Sequence, residues 1–298
     1  MRTIDLFAGA GGFTAGALQA GADVLWAANH WPEAVAAHAS NHPDTAHACQ
    51  DLTQADFTRV PEHDLLLASP ACQGHSIARG AERPHHDALR STAWAVIACV
   101  EAQRPGTVLV ENVPEFLDWA LFDVWAMALE RYGYSVTTQV LDSSEFGVCQ
   151  ERKRAFVLAR QDGALALESP RLDPVPLRQV IDWDAGRWSS IASKVDATRD
   201  QAARAQAKHG DRCLIVYNGS RNAGRSLDAP APTITTVDRL AVLDGDRMRM
   251  LTLDEYRVCM GFDPSYRLAP RKKDAIKLLG NAVCPPQAAE LVRQVMAA

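Results

Sequence analysis

Residues 63–76 read HDLLLASPACQGHS and place a cysteine directly after an apolar run. The run Leu65-Leu66-Leu67-Ala68 is short enough for a buried parallel strand, and Pro70 and Gly74 stop that strand in a loop. Cys72 is therefore expected just past the carboxyl end of a central strand, where open α/β sheets place ligands and reactive groups. An arbitrary cysteine is usually a small buried hydrophobe. The loop position favours a thiol that a substrate can reach.

Other short apolar runs alternate with helical patterns along the first half of the chain. The runs cover residues 3–7, 24–28, 46–49, 65–69 and 108–110, and two further strands are expected at 134–141 and 155–159. Helices are predicted from Phe13 to about Gly21 and over 32–40, 91–103 and 115–132. This alternation predicts an α/β fold with a parallel sheet.

The composition changes after residue 161, and a second, smaller domain is expected there. Residues 161–228 are rich in proline and arginine and show little periodicity beyond the apolar run at 214–217. Thr252 and Glu255 form a capping-box pattern that predicts a helix over 252–260. We expect a catalytic and cofactor-binding domain over 1–160, completed by 265–298. The small domain then occupies 161–264.

The composition is that of an ordinary globular protein, with 47% hydrophobic and 22% charged residues. Its longest apolar runs are too short to cross a bilayer, and no secretory signal precedes them, so the cytoplasm is the expected location. Seven cysteines without a CxxC pair favour free thiols over a disulfide framework or a structural zinc site. The scattered histidines lack ligand spacing, and no metal is predicted.

The net charge of −5 is unevenly distributed along the chain. Residues 1–150 contain 7 Lys and Arg against 18 Asp and Glu, whereas residues 151–298 contain 24 against 18. A basic second half is compatible with a polyanion held by one lobe. The cations predicted to contact nucleic acid lie within 161–228: Arg199, Arg204, Lys208, Arg212, Arg221 and Arg225.

The glycine-rich turn after the first strand favours close approach of a ligand to the backbone. Its sequence, Ala8-Gly9-Ala10-Gly11-Gly12, lacks the third glycine of the dinucleotide fingerprint. A nicotinamide-dependent dehydrogenase is therefore disfavoured.

Five motifs in order make the chain resemble the cytosine-5 DNA methyltransferase family along nearly its whole length. The motifs are Asp5-Leu6-Phe7-Ala8-Gly9-Ala10-Gly11-Gly12, Cys72-Gln73, Glu111-Asn112-Val113, Gln150-x-Arg152-x-Arg154 and Gly280-Asn281-Ala282-Val283. The resemblance implies a Rossmann-like S-adenosylmethionine-dependent domain with a small target-recognition domain.

The resemblance also implies a set of cofactor-binding residues. Phe7 would pack on the cofactor, Trp31 would flank the adenine and Asp51 would bond its exocyclic amine. Without the resemblance, Trp31 would be interpreted as a core residue and Asp51 as a helix cap. The implied set is Phe7, Gly9, Gly11, Gly12, His30, Trp31, Asp51, Leu52, Ala71, Asn281 and Val283.

By the family pattern, Cys72 is the nucleophile that adds to C6 of cytosine, which activates C5 for methylation. Glu111 would hold a proton at ring N3, although a carboxylate at a strand end is often only a helix cap. Arg152 would bond the O2 oxygen of the base. Because a base inside a duplex cannot be reached, it must be flipped out. The implied DNA-contacting residues are Gln73, Ser76, Gln150 and Arg154, of which Arg154 would order the loop and nearby phosphates.

Three positions depart from the family pattern. Ala71 stands before the nucleophile where relatives carry proline, which removes a fixed φ angle. His30 replaces a common acidic residue at the ribose, and it cannot make a bidentate carboxylate contact. Cys149 replaces a proline before the arginine motif. None of the three removes a catalytic group.

Two other functions compete with DNA methylation. An RNA methyltransferase of the same chemistry remains open, because one branch of the family methylates a tRNA. A catalytically silent binding module is disfavoured by the intact set of Cys72, Glu111 and Arg152. The expected partner is duplex DNA bound by a monomer, with a cognate restriction endonuclease as a candidate further partner and no membrane contact.

Overall fold

The computed structural model describes residues 1–70, 91–217 and 224–298. A seven-stranded sheet of order β3-β2-β1-β4-β5-β7-β6 forms the larger part. Its first five strands in that order are parallel, and β7 and β6 are antiparallel to their neighbours. The strands are β1 (Arg2–Leu6), β2 (Asp23–Asn29), β3 (Ala46–Cys49), β4 (Leu65–Ala68), β5 (Thr107–Asn112), β6 (Ser135–Asp142) and β7 (Lys153–Arg160).

Helices cover this sheet. Those within its sequence are α1 (Gly12–Gln19), α2 (Pro32–Asn41), α3 (Trp94–Gln103) and α4 (Phe122–Arg131). Two helices from the end of the chain, α7 (Lys272–Asn281) and α8 (Pro285–Ala297), complete the cover. A Cβ on Gly16 of α1 would overlap Ala288 of α8, so glycine allows the two helices to touch. The α/β architecture with a mainly parallel sheet agrees with the predicted fold class.

A second, antiparallel sheet of order β10-β9-β11-β12-β8 lies between β7 and the last helices in sequence. Its elements are β8 (Ser189–Ser190), α5 (Asp196–His209), β9 (Arg212–Val216), β10 (Arg225–Ser226), β11 (Leu240–Asp244) and β12 (Arg247–Met250), followed by α6 (Leu253–Cys259). Ala202 and Ala205 of α5 are buried in a cluster with Cys213 and Ile215 of β9. The predicted domain limits remain a proposal about how this chain divides.

The helix predicted over 115–132 is shorter than expected. Residues Pro114–Phe116 form a 3-10 turn, and α4 begins only at Phe122. The ring of Phe116 contacts Phe122 and Trp125 at centroid distances of 5.4 and 5.5 Å. The preceding chain bends so that these rings pack, and this packing overrides the periodic pattern.

Helix α5 was not expected from the sequence. Its buried residues are only Gln201, Ala202 and Ala205, so the large apolar side chains that reveal an amphipathic helix are absent. The capping box is confirmed, since the side chain of Thr252 and that of Glu255 each accept the other residue's backbone N–H.

No helix in the described ranges is both long enough and apolar enough to cross a membrane. The same ranges contain no group of three or more His, Cys, Asp or Glu arranged to hold a metal ion.

Candidate active site

A cavity lies at the carboxyl ends of β1, β2, β4 and β5. It collects eight residues predicted for the site from five separate parts of the chain: Phe7, Gly9, His30, Trp31, Glu111, Arg152, Arg154 and Asn281. The other lining residues, which were not predicted as site residues, are Asn29, Ser69, Pro70, Val113, Lys277, Leu278 and Gly280. Parallel strands bring these distant residues to one edge of the sheet.

The glycine-rich turn forms one wall of the cavity. Phe7 adopts φ 61° and Gly9 adopts φ 55°, a left-handed conformation that is uncommon for a side chain such as phenylalanine. Gly11 precedes α1 at φ 84°, and no side chain caps the first turn of that helix. The first backbone N–H groups of α1 therefore have no side-chain acceptor.

Gly11 and Gly12 of the turn allow close packing against other parts of the chain. A Cβ on Gly12 would overlap the carbonyl oxygen of Val283, and a Cβ on Gly11 would lie 2.5 Å from the hydroxyl of Tyr266. Gly11, Gly12 and Val283 do not line the cavity. Their side of the turn is occupied by the returning C-terminal segment.

A chain of buried polar groups lies behind the turn. Thr14 donates to Asp5 at 2.8 Å and lies 3.0 Å from Nε2 of His38, whose Nδ1 is 2.7 Å from Nε2 of His47. Burial raises the pKa of Asp5 to about 7. Burial, followed by repulsion from His42 and His47, lowers the pKa of His38 to about 2.

Tyr266 joins the polar chain to the glycine-rich turn. Its hydroxyl donates to the carbonyl oxygen of Ala10 at 2.6 Å and lies 2.9 Å from Nε2 of His42. Burial, followed by repulsion from His47, lowers the pKa of His42 to about 4. These histidines are locally bonded, and they support the turn from behind.

Trp31 stands at the start of α2 with a cation on its face. The ammonium group of Lys277 lies 4.0 Å from the ring centroid, which is a cation–π distance. Asn29 fixes the start of the helix by accepting the backbone N–H of Trp31 at 3.0 Å. Lys277 was missed because an isolated lysine on a helical pattern is usually a solvated surface residue.

Asp51 and Leu52 do not line the cavity. Asp51 accepts the backbone N–H and the hydroxyl of Thr53 at 2.9 and 2.8 Å, which are the contacts of a helix cap. These bonds lower the pKa of Asp51. Leu52 is 2% exposed and packs in the core beside the sheet.

Glu111 is the buried carboxyl group of the cavity. It is 5% exposed at the end of β5, and its Oε1 accepts Nε of Arg154 at 3.0 Å. The next residue, Asn112, donates from Nδ2 to the carbonyl oxygen of Pro70 at 3.3 Å. The end of β5 therefore holds Pro70, which lies two residues before Cys72 in the sequence.

Arg152 makes contacts that differ from its predicted role. It is 1% exposed, and its guanidinium donates to the carbonyl oxygens of Ile234, Gly280 and Ala282 at 3.0 to 3.1 Å. These bonds tie the small-domain segment and the C-terminal segment to β7. Arg154, rather than Arg152, carries the guanidinium that pairs with Glu111.

Gln150 is also committed inside the protein. It is 0% exposed, its Oε1 accepts the backbone N–H of Ile234 at 2.7 Å, and its Nε2 lies 2.8 Å from the sulfur of Met260. Gln150 was predicted to contact DNA, but in this structure its side chain is buried and bonded within the protein. Ala71, Cys72, Gln73 and Ser76 lie outside the described residues.

Comparison with known proteins identifies the family. The model of the C-5 cytosine-specific DNA methylase family matches residues 1–297. The chain is 34% identical over 186 residues to Type II methyltransferase M.AgeI of Thalassovita gelatinovora, a match that covers 58% of the chain and 41% of that protein. It is 26% identical over 316 residues to Type II methyltransferase M.NlaX of Neisseria lactamica, which covers 100% of the chain and 96% of that protein.

Solved structures share the fold. A Spodoptera frugiperda DNMT2 variant superposes with a TM-score of 0.72 at 17% identity, covering 99% of both chains. The Dnmt2 methyltransferase of S. pombe superposes with a TM-score of 0.71 at 17% identity, covering 100% of this chain and 98% of that one. The family match over residues 1–297 shows that the chain belongs to the C-5 cytosine-specific DNA methylase family.

Proposed function

We propose that the protein transfers a methyl group from S-adenosylmethionine to C5 of a cytosine flipped out of duplex DNA, through a covalent adduct with Cys72. The observation that carries this proposal is the buried Glu111–Arg154 pair beside Pro70, in the same cavity as Phe7 and Trp31. The cavity thus combines an acid–base group, a guanidinium and an aromatic wall at the base of the cysteine loop.

The residues on one side of the cavity suit the methyl donor. A Cβ at Gly9 would meet no atom closer than 3.7 Å, so the backbone there is open to a ligand. Trp31 and Phe7 offer aromatic surface, while His30 and Asn281 offer polar atoms. When bound, S-adenosylmethionine supplies an electrophilic methyl group on a sulfonium.

Cys72 and Glu111 act on the cytosine ring. The thiolate of Cys72 adds to C6, and the electron pair of the C5–C6 double bond becomes available at C5. Glu111 holds a proton at N3, so that the ring accepts electrons as the thiolate adds. After methylation a base removes the C5 proton and the thiolate leaves.

We assign the O2 contact to Arg154 rather than to Arg152. The guanidinium of Arg154 is only 13% exposed and is already oriented by Glu111. A preorganised donor of this kind stabilises charge that develops on a ring oxygen. Arg152 is a positioning residue, because its donors hold the backbone around the cavity.

Duplex DNA is favoured as the substrate by the description of the family, C-5 cytosine-specific DNA methylase, and by relatives named Type II methyltransferases, of which M.NlaX is matched over 96% of its length. A tRNA substrate is the alternative, since the same ring chemistry would serve it. We further propose that the protein acts as a monomer in the cytoplasm, that residues 161–264 are the target-recognition domain, and that a cognate restriction endonuclease accompanies it.

Incorporation of tritium from methyl-labelled S-adenosylmethionine tests the proposal. We expect label in duplex DNA of random sequence and none in total cellular tRNA. Label in tRNA alone would replace DNA with the alternative substrate. Label in neither would contradict the proposed function.

A further inference from the structure

A second cavity, of about 500 Å³, lies between the small sheet and the arginine motif. Its apolar wall includes Val216, Ile234 and Leu240, and its polar groups include Glu151, Arg225 and Arg239. We call it the β11 cavity, after the strand that Leu240 begins. None of the predicted site residues except Arg225 lines it.

The β11 cavity shares a wall with the catalytic cavity. Thr233 donates its hydroxyl proton to the carbonyl oxygen of Glu151 at 2.8 Å, while Arg152 bonds the carbonyl oxygen of Ile234 from the other side. Thr233 and Ile234 line the β11 cavity, whereas Arg152 lines the catalytic cavity. A nucleic acid that delivers a base to Glu111 therefore passes close to the β11 cavity.

Arg239 is the cation of this cavity that is not neutralised. Arg225 pairs with Glu151 at 2.5 Å. The carboxylate nearest to Arg239 in sequence, Asp238, is already bound by Lys272 at 2.6 Å and by the hydroxyl of Tyr256 at 2.9 Å. Across residues 1–70, 91–217 and 224–298, the guanidinium of Arg239 has no hydrogen-bond or ion-pair partner.

The combination of an unpaired guanidinium and apolar walls fits a nucleobase better than a phosphate. A half-buried guanidinium presents a fork of donors that matches two adjacent acceptors, and guanine offers O6 and N7 in that arrangement. A phosphate would satisfy the same fork but would gain nothing from Val237, which lines the cavity and is 52% exposed. An exposed apolar side chain beside the fork suits the apolar methyl edge that a base pair can present in the major groove.

We propose that the β11 cavity binds a guanine of the target DNA, other than the flipped cytosine, and that Arg239 reads its O6 and N7 edge. Arg239 is thus a specificity-determining residue, and its role rests on the proposed action on DNA. The sequence did not indicate it, because Arg239 lies after the irregular segment in which cations were sought.

Selection of bound duplexes from a randomised library, followed by sequencing, tests this role without requiring turnover. The wild-type protein should enrich a motif that contains guanine, and Arg239→Ala should lose the preference at one position by roughly 5- to 100-fold. The matched control is Arg293→Ala, which removes an equal charge from an arginine that pairs with Glu290 on α8 and should keep the motif.

Arg239→Lys separates a base contact from a phosphate contact, because lysine keeps the charge but loses the fork. We expect Arg239→Lys to relax the same position. Replacement of that guanine by 7-deazaguanine, which lacks the N7 acceptor, should weaken binding of the wild type and leave Arg239→Ala unchanged. Unchanged melting temperatures of both variants establish that they fold.

Two outcomes would overturn the proposal. An unchanged motif in Arg239→Ala shows that the cavity reads no base, and a uniform loss across all sequences with a salt slope lowered by about one unit shows a phosphate contact. A wild-type protein that binds and methylates DNA with either result leaves the proposed function intact. A wild-type protein that neither binds nor methylates duplex DNA contradicts both.

Discussion

Charged groups are arranged in opposite ways in the catalytic cavity and on the small antiparallel sheet. At the cavity, the side chains of Arg154 and Glu111 are 13% and 7% exposed and bond each other. On the small sheet, Arg212 pairs with Asp244 although 58% of its side chain is exposed. Buried charges depend on their partners, whereas exposed pairs contribute little to stability. The same residue types therefore form a buried, oriented pair in the cavity and a solvent-exposed pair on the small sheet.

The largest loss of activity is expected at the buried carboxyl group. Glu111→Gln removes the proton donor at N3 while keeping a hydrogen bond, so the turnover number should fall about 10²- to 10⁴-fold. DNA binding should remain near that of the wild type, as measured by fluorescence anisotropy. The control Glu115→Gln, outside the cavity, should retain full turnover. A loss under about threefold in Glu111→Gln would reduce Glu111 to a structural cap.

Substitution of Arg154 should mainly lower the rate of methyl transfer, whereas substitution of Arg152 should mainly lower the stability of the fold. Arg154→Met should lower turnover by roughly 10²- to 10³-fold, the scale of one lost donor at a developing charge. Arg152→Met should instead lower the free energy of unfolding by about 3 kcal/mol, because three carbonyl oxygens lose their partner at about 1 kcal/mol each. Urea unfolding and single-turnover rates measure the two effects. Reversed results would return the O2 contact to Arg152.

The histidines behind the turn predict an acid-sensitive fold. In the folded protein the pKa of His38 is lowered to about 2 and that of His42 to about 4, so the unfolded chain takes up their protons first as the pH falls below about 6.5. The raised pKa of Asp5, about 7, acts with the opposite sign between its ordinary value of 3.8 and about 7. Since the two histidines outnumber Asp5, stability should fall on acidification.

His38→Gln should reduce by one the number of protons that the unfolded chain takes up in excess of the folded protein. The free energy of unfolding should then depend less steeply on pH between 5 and 6, by about 1.4 kcal/mol per pH unit. Urea unfolding at several pH values measures the slope. A His38→Gln slope equal to that of the wild type would mean that His38 is charged in the folded protein.

The smallest effects are expected on the small sheet. Arg212→Ala removes an exposed ion pair with Asp244 and a contact 4.4 Å from the ring of Trp183. Its free energy of unfolding should change by no more than about 1 kcal/mol. Since Asp244 already holds Arg212 and also pairs with Arg247, the salt slope of DNA binding should be unchanged. A slope lowered by about one unit would restore Arg212 as a phosphate contact.

The sequence predicted the large sheet well, because strand ends carry distinctive residues there. Five parallel strands were expected, and β3 was predicted at its observed limits, Ala46–Cys49. Helix α5, which packs on the small sheet, was by contrast not predicted, because it buries only alanine and glutamine. Hydrophobic periodicity cannot reveal a helix that packs through small or polar side chains.

Site residues were predictable where the chemistry requires one residue type at one position. They were less predictable where two residues of the same type lie close together and only the folded contacts distinguish them. Glu111 at a strand end was identified, and the structure gives it a buried partner. Arg152 and Arg154 differ by two positions on one strand start, and only the folded neighbours distinguish their contacts. Lys277 and Arg239 were missed, because nothing local separates a lysine or arginine in a cavity from one on the surface.

The central claim is that Cys72 forms a covalent bond with the target cytosine. The most direct measurement incubates the protein with S-adenosylmethionine and duplex DNA that carries 5-fluorocytosine at the methylated position. Fluorine cannot leave C5 as a proton does, so a denaturation-resistant protein–DNA adduct should accumulate, and peptide mass spectrometry should locate it at Cys72. Cys72→Ala should form no adduct while still binding the cofactor. Full wild-type turnover by Cys72→Ala, or an adduct at another residue, would contradict the account.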